Sequence, residues 1–151
     1  MTFLHTILLF ACFFGLVAGG AVPTKLETVY TNLNAKVGLQ NITLKVSKDK
    51  SINGDALGRT ITVTTGALAL PIDDLAFIVG HEMSHVLYGP NELNADIHSI
   101  QILQNSGKYD ACKGGVDLFK RFLKTNGEQG GADDPHPKNS VRIANVKKLA
   151  C

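Results

Sequence analysis

Gly80-His81-Glu82-Met83-Ser84-His85-Val86 sets two histidines four residues apart, with a glutamate directly after the first. On an α-helix, residues i and i+4 share a face, so both imidazoles project to one side and can share a metal ion. Glu82 lies one step round the helix, close enough to hydrogen-bond a water at that ion without filling a coordination position. That is the place a general base needs. The preceding run Asp73-Asp74-Leu75-Ala76-Phe77-Ile78-Val79 opens like a helix, with Pro71 just outside and carboxylates in the first turn. Apolar residues then occupy nearly every face, so the helix predicted over about 73–88 is buried. A glutamate and two histidines in such a helix are costly to bury unless something satisfies them. A metal ion does so.

Working outward, the helix stops at Gly89-Pro90, and Asn91 is positioned to cap a second helix with Glu92 in its first turn. Its predicted inward stripe is Leu93, Ile97, Ile100 and Leu103. Zinc held by two histidines takes a third protein ligand and keeps its fourth position for water. The nearest downstream candidates are Glu92, Asp96 and His98. Glu92 and Asp96 share a helical face, and His98 points away from it. A chain that breaks at Gly89-Pro90 can fold the next first turn back onto the metal. This favours Glu92 as ligand, with Asp96 accepting a ring N–H to orient a ligand histidine, and makes His98 a surface or core-satisfied histidine.

Upstream, Leu26, Val29, Tyr30, Leu33 and Val37 have the spacing of an amphipathic helix, and Gly38 follows as a stop. Ile42-Thr43-Leu44-Lys45-Val46 alternates like a half-buried strand, and residues 51–57 read as a weaker one. The β-branched run Thr60-Ile61-Thr62-Val63-Thr64-Thr65 is the best strand of the chain. Downstream, a third helix is predicted over about 115–124, burying Val116, Phe119, Phe122 and Leu123. Residues 126–137 form a Gly- and Asp-rich loop. Asn139 or Ser140 caps a final helix carrying Val141, Ala144, Val146 and Leu149. The expected fold class is α+β: a small antiparallel or mixed sheet of about three strands, packed on the buried His-Glu-x-x-His helix and three to four further helices.

At 151 residues, with 19% charged and 44% apolar residues, the chain is an ordinary globular composition of one domain. The net charge of +2 is spread along it, without the basic stripe that nucleic-acid binding needs. The first 24 residues hold no Lys, Arg, Asp or Glu. The apolar run 7–18 is short for a membrane span and ends in Ala18-Gly19-Gly20-Ala21. That reads as a secretory signal peptide over residues 1–20, with the domain over 21–151; an N-terminal membrane anchor is the minor alternative. Removal of the leader leaves Cys112 and Cys151, most simply one disulfide of an exported protein. Asn41-Ile42-Thr43 is an N-glycosylation sequon.

Glu92-Leu93-Asn94-Ala95-Asp96 resembles the Glu-x-x-Ala-Asp element that follows His-Glu-x-x-His in the HtpX-like gluzincin zinc metallopeptidases, relatives of the CAAX prenyl endopeptidases and periplasmic quality-control peptidases. Residues 62–68 followed by Asp74-Leu75-Ala76 and Gly80-His81 are similar to that family's strand-turn-helix approach to zinc. His136-Pro137 with Arg142-Ile143-Ala144-Asn145 is similar to its C-terminal His-Pro and Arg-Ile element. Here only six residues separate His85 from Glu92, where the family carries a long insert, and transmembrane helices are absent beyond the leader.

The resemblance implies one zinc ion per chain on His81, His85 and Glu92, with Glu82 as base and Asp96 behind the ligands. It also implies that His136 and Arg142 stabilise the tetrahedral intermediate or frame the site. The expected function is that of a secreted or periplasmic zinc metalloendopeptidase acting on peptides or proteins, without stable membrane association once the leader is removed. The strand before the metal helix is expected to form the cleft rim and to pair with substrate as an added strand. Two other readings stand beside it: a catalytically silent secreted protein whose zinc is closed off by a fourth ligand, His136 or His98, and a zinc hydrolase of a non-peptide amide.

Overall fold

The computed structural model describes residues 22–130 and 136–151. The expected leader, residues 1–20, lies outside them, as does part of the Gly- and Asp-rich loop. Helix α1 (Thr24–Val37) buries Leu26, Val29 and Leu33, three members of the predicted stripe. It ends at Gly38, whose φ of 76° is the left-handed cap that glycine adopts without penalty. Three strands follow, β1 (Thr43–Ser47), β2 (Gly54–Leu57) and β3 (Thr60–Thr64), in sheet order β1-β3-β2.

Strands β2 and β3 form an antiparallel hairpin pairing Leu57 with Thr60 and Gly54 with Val63. Strand β1 runs parallel to β3, with Thr43 beside Thr60 and Ser47 beside Thr64. The β-branched β3 occupies the centre, where Ile61 and Val63 are fully buried. This corrects one expectation. Both sides of β3 are already hydrogen-bonded, so it cannot take an added strand; the strand with an open side next to the metal helix is β2. Thr64 closes β3 by capping the short α2 (Thr65–Leu68), accepting the Ala67 N–H at 3.2 Å.

Helix α3 (Ile72–Tyr88) is the axis of the molecule and is buried without interruption from Asp74 to Ser84. Helices α4 (Glu92–Ser106), α5 (Ala111–Asn126) and α6 (Asn139–Ala150) pack round it. Asn91 caps α4 as expected, accepting the Asn94 N–H at 2.9 Å. Leu93, expected inside, is 40% exposed, because the side of α4 that meets α3 is Ala95, Asp96, Ser99, Ile100 and Leu103. Helix α5 begins one turn before its predicted start, capped by the Asp110 side chain on the Lys113 N–H. Gly114 lies just before the predicted start and Gly115 at it, and both serve close packing. A Cβ at Gly114 would lie 2.4 Å from the Asp73 carbonyl oxygen, and one at Gly115 2.6 Å from the Phe77 ring.

Helix α6 departs furthest from its sequence pattern. Val141 and Leu149 are exposed, and the buried residues are Asn139, Arg142 and Val146. Neither Asn139 nor Ser140 caps it: Asn139 is already helical, and its amide donates to the Gly127 carbonyl at 3.0 Å. The expected disulfide joins Cys112 of α5 to Cys151 beyond α6. Among the described residues no helix is long and apolar enough to cross a membrane. The architecture is the α+β class expected, with a mixed three-stranded sheet on one side of α3.

The disulfide closes a loop of 39 residues. On the chain-entropy relation it contributes about 4 kcal/mol. Denaturant unfolding of the Cys112→Ser/Cys151→Ser protein should show a loss of that order, with an unchanged far-ultraviolet spectrum in the absence of denaturant.

Candidate metal centre

His81 and His85 stand one turn apart on α3, and the break at Gly89-Pro90 returns Glu92 of α4 against them. The His81 and His85 Nε2 atoms are 3.0 Å apart. Glu92 Oε2 lies 3.1 Å from His81 Nε2, and Glu92 Oε1 lies 3.4 Å from His85 Nε2. The other ring nitrogens decide the tautomers. His81 Nδ1 faces Asp96 Oδ1 at 3.0 Å, and His85 Nδ1 faces the Gly89 carbonyl at 3.0 Å. A carboxylate and a carbonyl only accept, so in the neutral rings both Nδ1 atoms carry the proton and both Nε2 atoms present lone pairs.

Two lone pairs and a carboxylate therefore converge on one point, which is repulsive unless a proton or a cation sits between them. The spacing identifies the better occupant. A tetrahedral ion with ligands at 2.0–2.1 Å sets its ligand atoms about 3.3 Å apart, and the three separations here bracket that value. His81, His85 and Glu92 form a group able to hold a metal ion.

Behind the group runs a second line of contacts. Asp96, 2% exposed, takes two hydrogen bonds from Arg142 of α6, Nε to Oδ2 at 2.7 Å and Nη2 to Oδ1 at 2.6 Å. The Arg142 guanidinium also lies over the Phe119 ring, 4.0 Å from its centroid. Burial alone would raise the Asp96 carboxyl; the hydrogen bonds from His81 and Arg142 override it and hold Asp96 below its ordinary value. Burial likewise opposes charge on His81, but Asp96 and Glu92 lift its pKa in the metal-free protein to about 9. Glu92 is pulled well below the usual carboxylate range against its own burial, by hydrogen bonds to His136 and His81.

Glu82 points from α3 into a cleft of about 510 Å³. Burial first of all raises its carboxyl pKa, with Glu92 and Asp55 adding to the rise and the two histidines opposing it. The strand β2 lies directly against it: a Cβ at Gly54 would meet Glu82 Oε1 at 2.8 Å and Glu82 Cγ at 2.9 Å. Beyond the metal group the cleft is lined by Asp55 and Ala56 of β2, by Ile78, and by Leu118, Phe119 and Phe122 of α5.

The other residues singled out in the sequence fall as follows. His136 Nε2 is 3.1 Å from Glu92 Oε2 at the mouth of the cleft, but outside the three-residue group. Arg142 lines the cleft with the Nε and Nη2 edge of its guanidinium engaged by Asp96. His98 is turned away, with Nδ1 at 3.3 Å from Ser84 Oγ and its ring 4.0 Å from that of Tyr88. Gly54 and Asp55 of the cleft do not stand out in the sequence, because they sit in the weakest strand pattern of the chain. The one signal there, a glycine inside a strand, marks a close approach.

No family model matches the chain, and no curated protein matches it. Among solved structures it is similar to the crystal structure of the metallopeptidase zymogen of Pyrococcus abyssi abylysin, at 16% identity and a TM-score of 0.46, over 67% of this chain and 94% of that one. A likeness at that level assigns no activity to this chain.

Two measurements follow from the geometry. With a metal-free pKa of about 9, His81 is protonated at pH 7, and a metal ion takes the place of that proton. Zinc binding at pH 7 should then release about one proton per ion, and apparent affinity should climb with pH until about 9 before levelling. Calorimetry in buffers of different ionisation enthalpy reads this, and zinc uptake without proton release would refute the assignment. The sign for metal-free stability is the reverse: charged His81 stabilises the fold below its ordinary pKa of 6.5, and the contribution is lost as pH rises through 9. Second, Gly54→Ala should leave zinc content intact while costing about 1–3 kcal/mol of stability. Combining it with Glu82→Asp should recover part of that loss, because the shorter side chain vacates the space.

Proposed function

We propose that the protein is an exported zinc metallopeptidase that hydrolyses peptide bonds with Glu82 as general base. The observation that carries this reading is the convergence of the His81 and His85 Nε2 atoms and the Glu92 carboxylate beside an open cleft that also contains the buried Glu82. His81, His85 and Glu92 would hold the ion. Such an ion supplies Lewis acidity toward a carbonyl and acidifies water. The remaining work belongs to the chain itself. Burial raises the Glu82 carboxyl pKa against the pull of the two histidines, so it can take a proton from water and return it to the leaving amine.

His136 faces the ion site from the mouth of the cleft and is the better placed of the two C-terminal candidates to meet a developing oxyanion. Arg142 has its role one step back, fixing Asp96 and through it the His81 ring. The open side of β2 gives an extended peptide a strand to pair with, in place of β3. This favours a peptide over a non-peptide amide. A closed structural zinc site is disfavoured because the described residues contribute three ligand atoms to the group, with His136 and His98 outside it. Export is supported by the Cys112–Cys151 disulfide, which an oxidising compartment maintains.

Elemental analysis of the purified protein should find one zinc per chain, and much less in His81→Ala and Glu92→Ala. Glu82→Gln should keep the zinc and lose peptide hydrolysis by a factor of about 100 or more. Full activity in Glu82→Gln would overturn the mechanism, and absence of zinc from the wild type would overturn the enzyme.

A further inference from the structure

The edge presented by β2 is more specific than an open strand. The hairpin turns through two residues, Gly58 and Arg59, so Leu57 and Thr60 form its first hydrogen-bonded pair. In an antiparallel ladder such pairs alternate with open ones. Asp55 and Thr62 are therefore the next bonded pair, and the Thr64 N–H to Asn53 carbonyl bond at 3.1 Å continues the series. Gly54 and Ala56 fall between them and direct their N–H and C=O groups to the open edge, beside the cleft.

Side chains alternate across the strand as well. The Cβ direction at Gly54 leads straight at Glu82 and Ile78, so Gly54 and Ala56 face α3 and Asp55 projects from the opposite face. Asp55 is exposed, yet it lines the cleft. Its carboxylate has no ion pair or side-chain hydrogen bond with any described residue. The charges around it do not neutralise it. Lys45 occupies the same cross-strand row on the far edge, beyond Thr62, and Arg59 is turned to the Gln40 carbonyl.

A peptide paired along Gly54 and Ala56 sets one of its own side chains directly beside Asp55, on the outer face of the sheet. Opposite charges in such a cross-strand pair attract and like charges repel. We infer that Asp55 is a specificity-determining residue that selects a lysine or arginine at one fixed position of an extended peptide substrate. The inference rests on the peptidase reading above, and it adds to that reading a substrate class: peptides with a basic residue on the outward face, close to the scissile bond.

The test separates the two. Zinc-loaded Glu82→Gln protein, which binds without turning over, is titrated with extended peptides that end in a hydroxamate to fix their register on the metal. A single lysine, alanine or glutamate is walked through the sequence. At one position lysine should bind about threefold tighter than alanine, and glutamate about threefold weaker. At the other positions the three should be equal. Adding Asp55→Asn should flatten the difference, and Asp55→Lys should invert it, with hydroxamate binding itself preserved. Salt should weaken the preference, since the pair is exposed. A lysine preference that survives Asp55→Lys, or no preference at any position, would overturn the role of Asp55 while leaving the metal cleft standing. Failure of every hydroxamate peptide to bind the zinc-loaded protein would overturn the open-cleft reading and the specificity together.

Discussion

Two imidazole lone pairs and a carboxylate aimed at one point, 3.0–3.4 Å apart, repel one another unless a proton or a cation stands between them. Much of the rest of the structure holds that arrangement in place. Helix α3 supplies both histidines on one face. The break at Gly89-Pro90 does two things at once: its Gly89 carbonyl fixes the His85 tautomer, and its change of direction brings Glu92 back onto the site. Asp96, one turn further along α4, fixes His81. In the metal-free protein a proton on His81 relieves this contact, and a bound ion would take that proton's place.

The support reaches a long way along the chain. Asp96 is oriented by Arg142, Arg142 is placed by α6 against Phe119 of α5, and α6 is tied to α5 by the Cys112–Cys151 disulfide. A buried arginine–carboxylate pair gives little net stability compared with apolar packing, and losing either partner costs about 3–5 kcal/mol. What it provides here is a fixed orientation for the His81 ring. It also accounts for the odd composition of α6, where Arg142 and Asn139 lie inside while Val141 and Leu149 face solvent. A helix recruited to deliver a guanidinium to the core gives up part of its apolar stripe.

A similar trade shows in the glycines of the packed elements. Gly54, Gly114 and Gly115 sit where a methyl group would strike Glu82, the Asp73 carbonyl and the Phe77 ring. Gly114 lets two backbones approach, and Gly54 and Gly115 make room for the Glu82 and Phe77 side chains. At Gly54 the result bears on chemistry, since β2 screens one side of the Glu82 carboxylate from water and so helps burial to raise its pKa. Asp74 shows burial of another kind: Arg121 holds its Oδ2 at 2.9 Å, its Oδ1 has no partner among the described residues, and burial raises the carboxyl pKa.

The sequence by itself determined the parts of this protein governed by short spacing. The i, i+4 histidines with Glu82 between them, the Asn91 cap that starts the helix bearing Glu92 and Asp96, the β-branched run of β3 and the stripe of α1 are all local periodicities, and the structure places each element where its pattern puts it. Tertiary structure alone decided the rest. Sheet order put β3 in the centre, hydrogen-bonded along both edges, and that moved the open edge from β3 to β2. Gly114 joined α5 ahead of its predicted start because, lacking a Cβ, it lets the helix close on Asp73 of α3, although helix propensity opposes it. Arg142 was taken inside α6 because Asp96, 46 residues earlier, needed a partner. Propensity is a small local energy, of tenths to about one kcal/mol per residue. Burial and pairing across the chain outweigh it, and they become visible only once the distant partners have been brought together.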